Sequence, residues 1–369
     1  MLIPDGPQAL TSEWLTQALR KTGIIKNATV SSFHTQPLGE EGEGTTGQLA
    51  RVALTYEHTE SGAPKTLIAK FHSADPAVRN FVNSLGMYKS EYQFYEHIAS
   101  QIETPASRCY YCDYQDDGTT VLLLEDLAPA RSLGSNLDSS HVELAVRNIA
   151  KFQAYWWEHT QLDEILGMEE PKIIQGVWTH LQNQVQQNWP IVVELAKDNL
   201  MPGMKEIGER IVYKWNVFAN DLYYQAPRTI IHGDYHADNF LFATQEGGAP
   251  FTIIDWQLCK RGRGAYDIGM LLGGLPVEQR RNEEQALLKM YYQILIENGI
   301  KEYSFEQCFD DYRLTLLDTF ARLVYVIRPP LQNEDLERYH ASDHKFREVE
   351  LPRRCAAILD LGADKLIPE

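Results

Sequence analysis

An α+β fold follows from three features of the sequence. β-rich runs gather in the first third, a nearly unbroken helical pattern runs from about residue 138 to 225, and long helical patterns return after residue 277. At 369 residues the chain is too long for one simple core and suits two lobes sharing a cleft. The expected division is a small mixed β-sheet lobe over residues 1–125 and a larger, mainly helical lobe over 126–369 that encloses a short β-rich stretch at 229–256. No internal repeat at solenoid or propeller spacing competes with this reading.

The elements can be justified in order. TSEWLTQALRKTG begins with Thr11 and Ser12 and ends at Gly23, the start and stop chemistry of a short helix. QLARVALTYEH and KTLIAKFH are strand-like runs separated by the turn-like TESGAP. VRNFVNSLGMYKSEYQFYEHIASQI reads as one helix, with Tyr88, Tyr92, Tyr95 and Ile98 at helical spacing. SRCYYCDYQ and TTVLLLEDL complete an antiparallel sheet around Asp116-Asp117-Gly118, a hairpin-type turn. Three helical segments then start near Ser140, Gln175 and Met204, and others cover 277–298, 304–327 and the C-terminal region.

Composition excludes several function classes. Hydrophobic residues at 44% and charged residues at 23% are ordinary for a globular protein. No apolar run approaches the roughly 18–20 residues that span a membrane, so no membrane partner is expected. MLIPDGPQALTSEWL lacks a basic region followed by an apolar one, which points to the cytoplasm. The net charge of −17 argues against nucleic acid, whose backbone needs clustered Lys and Arg; it weakly favours a cationic small molecule. Cys109 and Cys112 form a CxxC, but no second Cys or His pair lies at metal-ligand spacing. Two thiols in or beside a strand is the better reading, and the odd count of five argues against a disulfide framework.

Chemistry concentrates in IIHGDYHADNFLF, FTIIDW and RGRGAYDIG. Asp234 and Asn239 stand five apart in a polar loop after the apolar Thr229-Ile230-Ile231, the D-x-x-x-x-N spacing of a kinase catalytic loop. Asp255 follows sixteen residues later, at the end of the β-rich run 251–254. Phosphoryl transfer asks for a base near the attacking hydroxyl, hard oxygens on Mg²⁺, and cations or backbone N–H groups on the phosphates. Asn239 and Asp255 supply the metal oxygens, which leaves Asp234 to accept the hydroxyl proton. An HGD tripeptide alone is only a turn; the signal lies in three elements in order at the right intervals.

HGDxxxxN followed by IDW resembles the aminoglycoside phosphotransferase and choline kinase superfamily, where protein kinases more usually show HRD and DFG. Within it the sequence is most similar to the ecdysteroid-kinase-like (CHK kinase-like) branch, through LLLEDL at 122–127, ExxFY at Glu91–Tyr95, the DWQ of Asp255–Gln257 and GAYDIG at 264–269. These matches span roughly residues 36–315. The resemblance implies a bilobal protein-kinase-like fold, ATP and Mg²⁺ as cofactors, and a small-molecule hydroxyl as acceptor. It also implies Asp234 as catalytic base, His232 as the histidine that orients the loop, Asn239 and Asp255 as metal ligands, and Asp267 as a buried brace. Asp238 more readily caps a turn than joins the chemistry, and His236 either faces substrate or packs.

The first lobe should then supply a phosphate cover, a lysine and a glutamate. LGEEGEGTTGQLARV offers Gly42 and Gly44 for close backbone approach, with Thr45 and Thr46 as phosphate neighbours. Its Glu40, Glu41 and Glu43 repel a triphosphate and are expected to point to solvent or to sit in a loop that settles on Mg·ATP. Lys70 ends LIAKF on the same strand face as Ile68, and Lys65 falls in the turn. Glu91 is the expected partner of Lys70. Glu96 on the same predicted helix is the alternative, and the two point about 140° apart. Glu125, Asp126 and Leu127 form the hinge, where a base is held by backbone more than by side chains.

The helical region's Tyr155, Trp156, Trp157, Trp178, Trp189 and Trp215 suit a ring or quaternary amine, yet aromatics at such spacing are more often core. Two other functions compete with a small-molecule O-kinase. One is a kinase-like regulatory protein without turnover, which the intact Asp234, Asn239, Asp255 and Lys70 disfavour. The other is a protein kinase, for which DFG, APE and the segment between them are missing.

Overall fold

The computed structural model describes residues 1–39, 46–58, 60–101, 105–165, 171–196, 200–327 and 344–369. By packing they form two units, one of Met1–Leu133 with Asp238–Cys259, the other of Gly134–Ala237 with Lys260–Glu369.

The first unit opens with helix α1 (Ser12–Lys21), capped by Thr11, whose side chain accepts from the Trp14 N–H at 3.1 Å. Strands β1 (Val30–Pro37), β2 (Gly47–Tyr56), β3 (Thr66–His72), β4 (Cys109–Tyr114) and β5 (Thr120–Glu125) form a sheet in the order β1-β2-β3-β5-β4, antiparallel at every pairing. Alternation along β3 sends Leu67, Ala69 and Phe71 into a core shared with Leu15 and Leu19 of α1, and leaves Ile68 and Lys70 on the other face. At the β4–β5 turn Gly118 has φ +85 and donates to the Gln115 carbonyl at 2.9 Å, as the Asp-Asp-Gly sequence predicts.

The expected single helix after β3 is two. Helix α2 (Pro76–Ser84) stops at Leu85, and Gly86, with φ 71, starts α3 (Met87–Gln93), which continues as a wider turn over Phe94–Ile98. Side-chain periodicity survives such a break while the backbone does not, because only glycine takes a left-handed conformation at little cost. Tyr88, Tyr95 and Ile98 are buried as that periodicity requires, and Tyr92 stacks on Tyr114 at 5.9 Å. The unit is completed by a hairpin of strands Phe240–Thr244 and Gly247–Ile253, followed by a turn in which Trp256 stacks on Phe94 at 3.9 Å.

The second unit is helical apart from one pair of strands, Thr229–Ile231 against Lys260–Gly262. Its helices are α4 (Ser139–Trp156), α5 (Leu162–Ile165), α6 (Pro171–Ala196), α7 (Met204–Tyr224), α8 (Ala265–Gly273), α9 (Val277–Glu297), α10 (Phe305–Tyr325) and α11 (Leu351–Leu361). Asp138 caps α4, accepting from the N–H groups of Ser140 and His141. Asp318 of α10, fully buried, accepts from Trp215 Nε1 and Tyr223 OH of α7, Tyr266 OH of α8 and Arg322 Nε, so one carboxylate ties three helices. Trp156, Trp189 and Trp215 are core, whereas Tyr155 is exposed. No helix of the described residues is long and apolar enough to cross a membrane.

Candidate active site

In the first unit a cavity of about 360 Å³ takes its apolar lining from Leu49 and Ile68 of the sheet, Leu127 after β5, and Leu241 and Ile254 of the hairpin. Its polar side carries Lys70, Glu91, Asn239, Asp255, Gln257 and Thr46. Residues named from the sequence at widely separate positions thus line one cavity.

Lys70 sits between two carboxylates. Its Nζ donates to Glu91 at 2.8 Å and to Asp255 Oδ1 at 2.7 Å, although Asp255 lies 185 residues away in the chain. Glu91 is buried, with 2% of its side chain exposed. Burial works against the Lys70 charge, but Asp255 and Glu91 outweigh it and hold its pKa above that of an ordinary lysine. Burial also raises the Glu91 pKa, with Lys70 pulling the other way. Glu96, the alternative partner, lies instead beside Cys112, whose Sγ is 3.4 Å from its carboxylate. Asp255 adopts φ 65, a left-handed conformation that a non-glycine residue holds only where its surroundings over-determine it. The Ile254 N–H donates to the Asn239 carbonyl at 3.0 Å, which links the strand end to the residue named as second metal ligand.

Glu125, Asp126 and Leu127 all line the cavity. Backbone was expected to matter more than side chain at these residues, and Asp126 adds a side-chain contact of its own. Its carboxylate takes both Nε and Nη2 of Arg51, at 2.8 and 3.2 Å, and is nearly buried. Arg51 was not singled out from the sequence, although it stands two residues from Leu49 on the same face of β2. Gly42, Gly44 and Thr45 lie outside the described residues. Thr46 lies within them, its hydroxyl donating to Gln257 Oε1 at 2.9 Å.

The second unit holds the loop His232–Ala237. Buried Asp267 accepts from the His232 N–H at 2.9 Å, the Gly233 N–H at 3.0 Å and Gln153 Nε2 at 2.8 Å. Gln153 is itself fixed by Tyr291 OH at 2.7 Å. Burial pushes the Asp267 pKa up to about 7, against the opposing effect of these donors. His232, with no exposed surface, accepts the Asp234 N–H on Nδ1 at 3.2 Å, and Tyr235 OH donates to the Ala145 carbonyl at 2.9 Å. Three attachments therefore aim Asp234, whose side chain keeps 30% exposure. His236 Nε2 lies 3.2 Å from Asp234 Oδ2. Burial would raise the Asp234 pKa, but His236 and the nearby His232 and Arg322 hold it below its ordinary value. An ionised, partly open carboxylate on a braced loop can accept a proton.

Fold and constellation together define the kinase-like small-molecule phosphotransferases. The chain belongs to the ecdysteroid kinase-like family, which it matches over residues 41–303. Among solved structures it is similar to the choline kinase from Cryptosporidium parvum Iowa II, at 12% identity over 96% of this chain and 98% of that one, with a TM-score of 0.53. It is likewise similar to a candidate aminoglycoside phosphotransferase from Ralstonia eutropha JMP134, at 14% identity over 97% and 99% of the two chains, with a TM-score of 0.52. At such identities the likeness is one of fold. No curated protein matches the chain.

Proposed function

We propose that this chain moves the γ-phosphoryl group of Mg·ATP to a hydroxyl of a small molecule. The observation that carries the reading is Lys70, held by Glu91 and Asp255 on the wall of a cavity that also presents Asn239. A purine suits the apolar lining, and about 360 Å³ is within the usual range for ligand pockets. Lys70 would meet the phosphates as a point charge. Mg²⁺ fits the donor set, since it takes one or two protein oxygens and completes its shell with phosphate and water. Asn239 and Asp255 would hold it, and when bound it would neutralise charge developing on the phosphate oxygens.

Asp234 acts on the acceptor in this reading. The acceptor oxygen forms a bond to the γ-phosphorus, the bond from that phosphorus to the β–γ bridging oxygen breaks, the hydroxyl proton passes to Asp234, and ADP leaves. The depressed pKa of Asp234 keeps it ionised and ready. Family membership supports a hydroxylated small molecule as acceptor.

An ATP-consumption screen against alcohols, amino alcohols, sugars and aminoglycosides tests the proposal. Turnover dependent on one of these classes is expected. Mg·ATP binding without product across the library would point to a regulatory protein instead, and peptide phosphorylation lost in Asp234→Asn would point to a protein kinase.

A further inference from the structure

Thr46 is anchored through its backbone. Its carbonyl accepts from Tyr88 OH at 2.6 Å, and Tyr88 in turn accepts the Ser73 N–H at 3.0 Å. The next residue, Gly47, passes so close to β3 that a Cβ there would lie 2.2 Å from the Phe71 carbonyl oxygen. The start of β2 is therefore packed closely on β3 and tied to Tyr88, and the group free to turn about its own bond is the Thr46 hydroxyl. Asp255 is the second fixed point, held by its left-handed backbone and by the stacking of Trp256 on Phe94.

Gln257 bridges the two. Its Nε2 donates to Asp255 Oδ2 at 3.1 Å, and its Oε1 accepts from Thr46 at 2.9 Å. A carboxylate can only accept, so the amide NH₂ must face Asp255 and the amide oxygen must face Thr46. The single Thr46 proton is thereby committed to Gln257. Lys70 meanwhile donates to Asp255 Oδ1, so both carboxylate oxygens are engaged by the protein's own donors.

A triphosphate with its cation asks for the opposite polarity. Phosphate calls for the Thr46 proton, and a cation beside Asp255 is repelled by N–H dipoles aimed at the same oxygen. One half-turn of the Gln257 amide answers both. Its oxygen then faces the cation side, its Nε2 donates to the Thr46 oxygen, and the Thr46 proton turns to the phosphate. A terminal amide torsion is soft and roughly two-fold, so the turn meets little resistance. Without a cation the turned amide sets one oxygen against another at Asp255, which explains the orientation observed.

We propose that Gln257 is a positioning residue whose amide couples the metal ligand Asp255 to the phosphate-facing Thr46, so that metal and nucleotide each favour the other's binding. The coupling rests on the nucleotide reading above and adds a two-state element that both ligands bias.

Calorimetric titration of ATP, with and without Mg²⁺, gives the ratio of the two affinities. That ratio should fall about 5- to 10-fold in Gln257→Leu, which keeps the bulk and removes the amide. Thr46→Val should lower the ratio by a similar factor, and the double variant should lower it no further. A ratio unchanged in both single variants, or lowered additively in the double, overturns the coupling while leaving the nucleotide site intact. Failure of the unaltered protein to bind ATP under either condition overturns both proposals.

Discussion

Two buried carboxylates, Glu91 in the first unit and Asp267 in the second, solve the same problem differently. Both are almost wholly removed from water, and burial raises the pKa of both. Glu91 meets a cation, Lys70, which a second carboxylate shares. Asp267 meets two backbone N–H groups and a side-chain amide, all neutral donors. The first arrangement is held by charge, and its partners can exchange when a charged ligand arrives. The second is held by directional hydrogen bonds to backbone, which fix the shape of a loop and have nothing to exchange. The proposed phosphoryl transfer would use both: a labile set of charges for the nucleotide and a rigid mount for the base.

The comparison is broken most forcefully by removing the reacting groups. Asp234→Ala should lower kcat about 10²- to 10⁴-fold while calorimetry finds Mg·ATP affinity largely kept. Asp255→Ala should show the reverse emphasis, with Mg·ATP binding weakened first. Near-normal turnover in the former, or unchanged nucleotide affinity in the latter, would show that base and metal ligand have been assigned to the wrong unit.

A smaller effect tests the rigid mount. Asp267→Asn keeps one acceptor but turns an NH₂ toward a backbone N–H, leaving a buried donor unpaired at a cost of about 1–3 kcal/mol. A Tm lowered by about 2–6 °C is expected in a thermal melt, with kcat reduced and ATP affinity little changed. If ATP affinity collapses with kcat, the brace is not specific to the loop.

The smallest change is in pH dependence. In the proposed mechanism Asp234 acts only when ionised, and its depressed pKa keeps it so below the ordinary carboxylate value of about 3.9. The kcat/KM profile should therefore be flat on its acid side down to about pH 5. His236→Ala removes a hydrogen bond and an electrostatic interaction that favour the anion, while burial continues to favour the acid. The acid limb should move to higher pH. A profile that does not move takes His236 out of the account of Asp234.

Much of the candidate site was legible because its residues sit in local patterns. The five-residue interval from Asp234 to Asn239, the strand end at Asp255 and the β3 face shared by Ile68 and Lys70 are all fixed by short stretches of backbone. Other features were hidden for equally physical reasons. Gly86 divides one continuous helical periodicity into two helices, because side-chain spacing does not report a left-handed residue between them. β1 shows the weak side of strand reading: most of its residues, from Ser31 onward, are exposed or half-buried, so it offers little apolar alternation to see. Arg51 looked like an ordinary strand residue until Asp126 supplied its partner.

By itself the sequence determined which chemical groups are present and their local order: an HGDxxxxN loop, a strand-end carboxylate, a strand lysine and a helix glutamate. Only tertiary structure decided who meets whom. It chose Glu91 over Glu96 for Lys70, set Asp255 against the same lysine, turned the Gln257 amide toward that carboxylate, and packed 238–259 with the first unit. The reason is range. Backbone geometry fixes a neighbour a few residues away, whereas an ion pair across 185 residues exists only once the chain has folded and brought the two side chains together.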